Sequence, residues 1–330
     1  MEKRFKDFKL DEVFELYCTK DNNNIEDSIL KTLKDNLILY LAAGINKFHL
    51  EPIKFKLNVK YPNKYKYVIN DQRRLDFYHD SLDKTGFNVI VKLLEFNTSI
   101  TDITFRSMDL TDDDFLFILT AIKSNRGNEF KLVDIGHNLV TNKSCQVLAE
   151  LFNLGTKQFP LRGISLKENN EINAEGLKIF ADTLANCNTS LRTLNLCGLN
   201  LADDFADSLT KIITKCQNLD SLGLCHNKFT SQLIKSTKNN FISSSSLTQI
   251  DLTANTLTGS VGDFCDIIKK NNTLQTVILR CCGYTSIDAK KLISSLKAKS
   301  GCTLFFDLRG TNNLGEDCLT ELAGIKGANK

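Results

Sequence analysis

The side chains best suited to chemistry in this sequence are its histidines and cysteines. Only four histidines occur in 330 residues. Three of them, His79, His137 and His226, fall at the same point of a recurring sequence unit, just past an apolar run. Their units are not adjacent, so a strand spacing of about 4.8 Å keeps them apart, and a structural or solvent-exposed role outranks catalysis. Eleven cysteines run from Cys18 to Cys318 without a CxxC pair, which argues against a disulfide framework and against a structural zinc site. Cys197 and Cys225 stand out, because they occupy equivalent, exposed positions of neighbouring units with His226 next in line. Two thiolates so placed suit a soft metal or a redox pair, but a third and fourth ligand are missing. Small, soft residues on a sheet surface are the preferred reading. Cys145, Cys187, Cys216 and Cys265 lie in or after helices and read as core fillers. There is no P-loop, Rossmann glycine fingerprint, HExxH or GxSxG. The expectation is a protein that is not an enzyme and carries no cofactor and no metal.

The elements that position these residues are written as a repeat. LRTLNLCGLNL from Leu191, LDSLGLCHNKF from Leu219 and LTQIDLTANTL from Leu247 share the pattern L-x-x-L-x-L-x-x-N-x-L, with apolar substitutions. The same frame fits ITDITFRSMDL, FKLVDIGHNLV, LRGISLKENNEI and LQTVILRCCGY, with weaker copies near Leu75 and Phe306. The second apolar anchors are Leu75, Ile103, Val133, Ile164, Leu194, Leu222, Ile250, Val277 and Phe306, spaced 27 to 31 residues apart. After each anchor run the rhythm changes to that of a helix. Phe205, Leu209, Ile212 and Ile213 fall on one helical face, as do Leu177, Phe180, Ala181 and Leu184, and Phe115, Leu119 and Ile122. Each unit is a short strand followed by an amphipathic helix, and only stacking buries both apolar faces.

This pattern resembles the leucine-rich repeats of ribonuclease-inhibitor type, over roughly Gln72 to Ala323. The resemblance implies an α/β solenoid, a horseshoe with a parallel inner sheet and outer helices. It also implies that Asn138, Asn169, Asn227 and Asn255 tie the turns after the strands, with Cys282 as a substitute. Met108, Leu199 and Thr311 depart from that asparagine, so their turns are expected to be less well tied. A basic N-terminal segment before repeats of this length also looks like the repeat region of the CARMIL capping-protein regulators.

The expected organisation is an N-terminal region, 1–70, followed by about nine repeats over 71–330, in one continuous structural domain. Residues 11–20 and 25–44 read as two helices forming a cap, and Ile45 to Leu50 as a candidate tenth strand. Alternation from Pro52 to Asn70, with Pro62-Asn63 between the runs, predicts a β-hairpin. Lys54, Lys56, Lys60, Lys64 and Lys66 line its other face. They suit an anionic partner, but a solvated face that blocks edge pairing is the preferred reading. A last helix is expected from Leu314 to Ala323.

Period-two geometry turns the residues beside the anchors toward the concave side. Charged and aromatic side chains gather there: Arg74, Asp76, Tyr78, Asp102, Arg106 and Asp134 at one end, Lys167 and Asp251 along the middle, Arg280, Asp307 and Arg309 at the other. Tyrosine and arginine are favoured hot-spot types. The expectation is a scaffold that binds a protein partner on this face. The alternatives are a regulator of a small GTPase or of the actin cytoskeleton, or a bacterial effector that mimics a eukaryotic scaffold. With 42 Lys+Arg against 39 Asp+Glu, a net +3, an electrostatic nucleic-acid binder is not expected. The start, MEKRFKDFKLDEVFELY, has no apolar run before its acidic residues and is not expected to be a secretory signal peptide, and the longest apolar stretch, Leu37 to Ile45, falls far short of a membrane span of roughly 18 residues. A cytoplasmic monomer or weak dimer is expected, with a membrane surface as the lesser partner for the lysine hairpin. Four Asn-x-Ser/Thr sequons, at Asn97, Asn142, Asn188 and Asn271, are read as chance products of an Asn-rich composition.

Overall fold

Within each unit, the apolar anchors read from the spacing lie opposite one another in successive repeats. The computed structural model describes residues 74–78, 87, 91, 94, 101–125, 130–154, 161–186, 190–299 and 305–309. It divides the chain into two units, Met1–Asn138 and Leu139–Lys330. In the first, β1 (Arg74–Tyr78), β2 (Asp102–Arg106) and β3 (Leu132–Asp134) pair in parallel, with Leu75 beside Ile103 and Ile103 beside Val133. In the second, β4 (Gly163–Ser165), β5 (Thr193–Asn195), β6 (Ser221–Gly223), β7 (Gln249–Asp251), β8 (Thr276–Ile278) and β9 (Phe305–Asp307) follow in chain order. There Ile164, Leu194, Leu222, Ile250, Val277 and Phe306 form one row of Cα partners. A register slip of one residue would turn the buried leucines outward, so the apolar row fixes the register.

Parallel neighbours need a crossover, and from β2 onward an α-helix supplies it. The first unit contains α1 (Asp112–Ser124). The second contains α2 (Asn142–Asn153), α3 (Ala174–Asn186), α4 (Ala206–Lys215), α5 (Ser231–Ser243), α6 (Val261–Lys270) and α7 (Ser286–Ala298). Their starts are written in short polar side chains. Thr111 with Asp114 and Thr285 with Asp288 form reciprocal capping boxes, while Thr141 and Thr230 each accept from the amide two residues on. Asn173 Oδ1 does the same at α3, accepting from Glu175 N at 3.0 Å and Gly176 N at 3.3 Å. The helix faces expected to be apolar are buried, including Phe115, Leu119 and Ile122 on α1 and Leu177, Phe180, Ala181 and Leu184 on α3. In the first unit Phe105 packs between Phe77, stacked at 5.6 Å, and Phe87, edge-on at 5.5 Å.

The strands β2 to β8 are short because each ends in a left-handed turn. The residue before the ladder position has positive φ in seven successive repeats, at Ser107, His137, Glu168, Gly198, His226, Ala254 and Cys281, with φ between 52° and 67°. This accounts for two of the histidines. His137 and His226 are exposed turn residues.

The ladder position reaches back to the repeat before it. Asn138 Oδ1 accepts from Met108 N at 3.0 Å and Leu110 N at 3.1 Å, while its Nδ2 donates to Phe105 O at 2.7 Å and Ile135 O at 2.8 Å. Asn227 does the same for Leu199 N at 3.1 Å and Leu201 N at 3.0 Å, and donates to Leu196 O and Leu224 O. Asn255 holds Phe229 N at 3.1 Å, and Asn169 Nδ2 donates to Leu166 O at 2.9 Å. Cys282 substitutes as expected, its thiol donating to Leu252 O at 3.2 Å. The turns at Met108 and Leu199 are therefore not loosely tied, contrary to expectation. A turn is held by the asparagine of the following repeat rather than by its own residue.

A second ladder runs along the helix C-termini. Asn125 Nδ2 donates to Leu94 O at 2.7 Å, Cys216 Sγ to Leu184 O at 3.8 Å and Asn271 Nδ2 to Phe241 O at 2.8 Å. At Leu184 and Phe241 this satisfies a carbonyl in the last turn, which the helix leaves without an intrahelical partner. Asn271 is thus buried by a structural role, which takes it out of any sequon chemistry. Cys145 and Cys216 are buried as expected, but Cys265 is partly exposed on α6 rather than a core filler. The expected cap helices 11–20 and 25–44, the strand at 45–50, the lysine hairpin at 52–70, Cys187, Thr311 and the last helix at 314–323 lie outside the described residues.

Candidate functional site

The open face of each sheet, opposite the helices, carries two rows of side chains per strand. The row between the anchors is Thr104 and Asp134 in the first unit, and Ser165, Asn195, Gly223, Asp251, Ile278 and Asp307 in the second. Where this residue is Asp or Asn, its Oδ1 accepts from the amide two residues on. Asp134 takes Gly136 N at 2.9 Å, Asn195 takes Cys197 N at 3.0 Å, Asp251 takes Thr253 N at 2.9 Å and Asp307 takes Arg309 N at 3.1 Å. These are Asx-type contacts that close the strand into its turn. The acids expected to face a partner thus hold the backbone of their own turns. The signal was present, since Asp or Asn recurs at one point of the repeat.

Two of these acids carry arginines. Arg106 Nε donates to Asp134 Oδ2 at 2.7 Å, and its terminal nitrogen pairs with the same oxygen. In the second unit Arg280 and Arg309 converge on one carboxylate. Arg280 Nε and its terminal nitrogen reach Asp307 Oδ2 at 2.6 Å, and Arg309 reaches it at 2.8 Å. Asp134 and Asp307 are buried beneath their arginines, at 2% and 0% exposure, which corrects the expectation that they project from the face. Arg280 and Arg309 remain 39% and 49% exposed. Burial alone would hinder ionisation of Asp307, but the hydrogen bonds from Arg309 and Arg280 outweigh it and hold the carboxyl at about 2. Two guanidiniums over one carboxylate leave a local charge of +1 fixed on the open face.

The centre of the second unit's face is bland in size but not in chemistry. Cys197 is 5% exposed, not an exposed thiol as expected, and Cys225 beside it is half-buried. Position 223 is glycine where a Cβ would stand 3.2 Å from Cys197 Sγ, so its absence makes room for that sulfur. The thiol–thiol hydrogen bond and burial raise the Cys197 thiol above its ordinary range, and the same bond lowers that of Cys225. The negative charge of Asp251 opposes ionisation of both thiols, and that of Glu168 opposes it at Cys225.

The other sequence candidates disperse. Asp102 accepts from Thr101 Oγ1 at 2.7 Å, and Lys167 and Asp251 lie half-buried on strands separated by the two cysteine-bearing repeats. The backbones of Arg74, Asp76 and Tyr78 pair with Asp102, Thr104 and Arg106, but their side chains lie outside the described residues. Among the described residues no group of three or more His, Cys, Asp or Glu is placed to hold a metal ion, and no helix is long and apolar enough to cross a membrane.

No known family profile matches the sequence. A stretch of 147 residues, 44% of this chain, is 26% identical to the mouse (Mus musculus) NACHT, LRR and PYD domains-containing protein 4C, and it spans 14% of that protein's length. Among solved structures, the leucine-rich repeat-containing protein LegL7 of Legionella pneumophila superposes with a TM-score of 0.43 at 16% identity, over 78% of this chain and 91% of that one. The tropomodulin C-terminal domain of Caenorhabditis elegans gives 0.40 at 15% identity, over 48% and 92%. The strand–turn–helix unit, its spacing and the back-reaching asparagines make this chain a leucine-rich-repeat protein.

Proposed function

We propose that the protein is a non-catalytic interaction scaffold that binds a protein partner on the open face of its repeats. The observation that carries this reading is the Arg280–Asp307–Arg309 cluster. Two half-exposed guanidiniums are anchored on a buried carboxylate, so binding costs little of their rotamer entropy. A planar, anchored arginine pair suits carboxylate groups of a partner in bidentate geometry. The preferred partner segment is therefore acidic. The adjoining face offers small and polar groups, Thr253, Asp251 and Cys225, over which a chain can lie.

The test is quantitative capture of partners from a native lysate by the wild type and by Arg309→Glu, with Arg280 left to hold Asp307. Loss of one specific partner supports the reading, and identical capture profiles remove the cluster from it. A panel of small GTPases assayed for stimulated GTP hydrolysis tests the catalytic-regulator alternative, which a flat result across the panel removes.

A further inference from the structure

Cys197 and Cys225 stand two residues past Asn195 and Gly223, which are Cα partners in β5 and β6. The backbone pairing continues beyond the strands, since Gly198 N–H donates to Cys225 O at 2.8 Å. Cys225 N–H donates to Cys197 Sγ at 3.0 Å, which sets the Cys197 sulfur against the backbone of Cys225. Neighbouring parallel strands lie roughly 4.8 Å apart, within the Cα separation of about 4.4–6.8 Å that a disulfide spans. One sulfur is sealed in and the other opens onto the face. This is the arrangement of an attacking thiol with a resolving thiol behind it.

We propose that Cys197 and Cys225 form a reversible dithiol–disulfide site that reacts with low-molecular-weight disulfides. Cys225 thiolate attacks one sulfur of R–S–S–R, forming a Cys225–S–S–R mixed disulfide and releasing RS⁻. Cys197 then loses its proton to solvent or to the departing thiolate, and its sulfur attacks Cys225 Sγ. The bond to R breaks, a Cys197–Cys225 disulfide forms and a second RS⁻ leaves. Two electrons pass from the protein to the small disulfide, and the two thiol protons end on two RSH. The thiol bond from Cys197 leaves Cys225 the more acidic of the pair. The Cys225 thiol beside it, burial and nearby negative charge keep the proton on Cys197 until the mixed disulfide forms, and the Cys225 proton is lost to solvent before the attack. Cys281 provides the internal contrast. It is exposed, but its neighbour Cys282 is buried, bonded to Leu252 O and pushed up to about 12, chiefly by burial. Among the described residues, a mixed disulfide at Cys281 therefore has no resolving partner of the same kind.

The experiment treats the full reduced chain with oxidised glutathione and maps all eleven cysteines by mass spectrometry, with fragment spectra that separate Cys225 from Cys216. The wild type is expected to accumulate the Cys197–Cys225 link and little glutathione on Cys225, and a dithiol reductant reverses it. In Cys197→Ser the Cys225 mixed disulfide persists, at about tenfold the wild-type level. Persistence of that adduct in the wild type at the Cys197→Ser level overturns the proposal. So does reaction of Cys281 while Cys197 and Cys225 stay thiols. Because the decisive reading is made on the wild type, misfolding of the variant does not protect the idea.

Discussion

The side chain of Asn227 and the backbone of Leu199 belong to different repeats, yet the first closes the turn of the second. Asn227 Oδ1 accepts from Leu199 N and Leu201 N, both buried, at 3.1 and 3.0 Å. Asn227→Ala would leave both amides without that acceptor and Leu196 O without its donor, while Leu224 O keeps the bond from Asn255 Nδ2. Each stranded buried group costs about 1–3 kcal/mol, so a loss of about 2–4 kcal/mol is expected, read as a lower urea midpoint. Cys282→Ala, which removes only weak sulfur contacts, is expected to cost about 1 kcal/mol or less.

Gly176 is a site of close approach between α2 and α3. A Cβ there would stand 2.1 Å from Asn142 Oδ1, while Asn142 and Asn173 exchange hydrogen bonds at 3.0 and 3.1 Å. Gly176→Ala is expected to destabilise by about 1–3 kcal/mol through overpacking. Adding Asn142→Ala should recover part of that loss. A double-mutant cycle in thermal unfolding with zero coupling would count against the contact.

The left-handed turn position gives two substitutions of opposite sign. Ala254, at φ 56°, carries a Cβ where glycine pays no steric penalty, so Ala254→Gly is expected to stabilise by about 0.5 kcal/mol after the entropy of the unfolded chain is counted. Gly198→Ala meets both a φ of 67° and Glu168 Cγ at 2.6 Å, and is expected to cost about 1 kcal/mol or more. Equal effects of the two changes in denaturant titrations would refute the turn argument.

Asp307 makes part of the stability depend on acid. Its carboxyl lies at about 2 in the fold against 3.8 for the ordinary group, because the arginine bonds outweigh burial. A depressed carboxyl contributes stability that is complete above 3.8 and is lost as pH falls from there through 2. Asp307→Asn is expected to be less stable than the wild type at neutral pH and to lose less between these limits. Parallel unfolding curves of the two proteins across that range would remove the assignment.

The strand register was legible in the sequence because one apolar row must face the core. The anchors Leu194, Leu222, Ile250 and Val277 fall into register from their spacing alone. The helix faces were legible for the same reason. The burial of Asp134 and Asp307 was not, since it depends on which side chain of the preceding repeat lies over each acid. Cys197 was misjudged likewise, because its cover is its neighbour and its space comes from a glycine one strand away. The turns at Met108 and Leu199 were misassigned because a sequence motif does not say which repeat its side chain serves. Nothing in the composition of Ser107, His137, Glu168 and Ala254 announced a shared left-handed backbone. Only their common place in the frame links them.

The backward reach of the ladder asparagines gives the array a polarity. Stripping a repeat from its C-terminal side removes the clamp on the turn that remains, whereas stripping one from the N-terminal side leaves the next turn's clamp in place. Unravelling begun at the C-terminal side of Asn255 therefore exposes Phe229 N, then the Leu199 and Leu201 amides once Asn227 goes, each loss loosening the next. Peeling from the opposite side meets no such sequence of failures. A protease or a pulling force acting at the two flanks of this unit should thus find one of them a zip fastener and the other a seam.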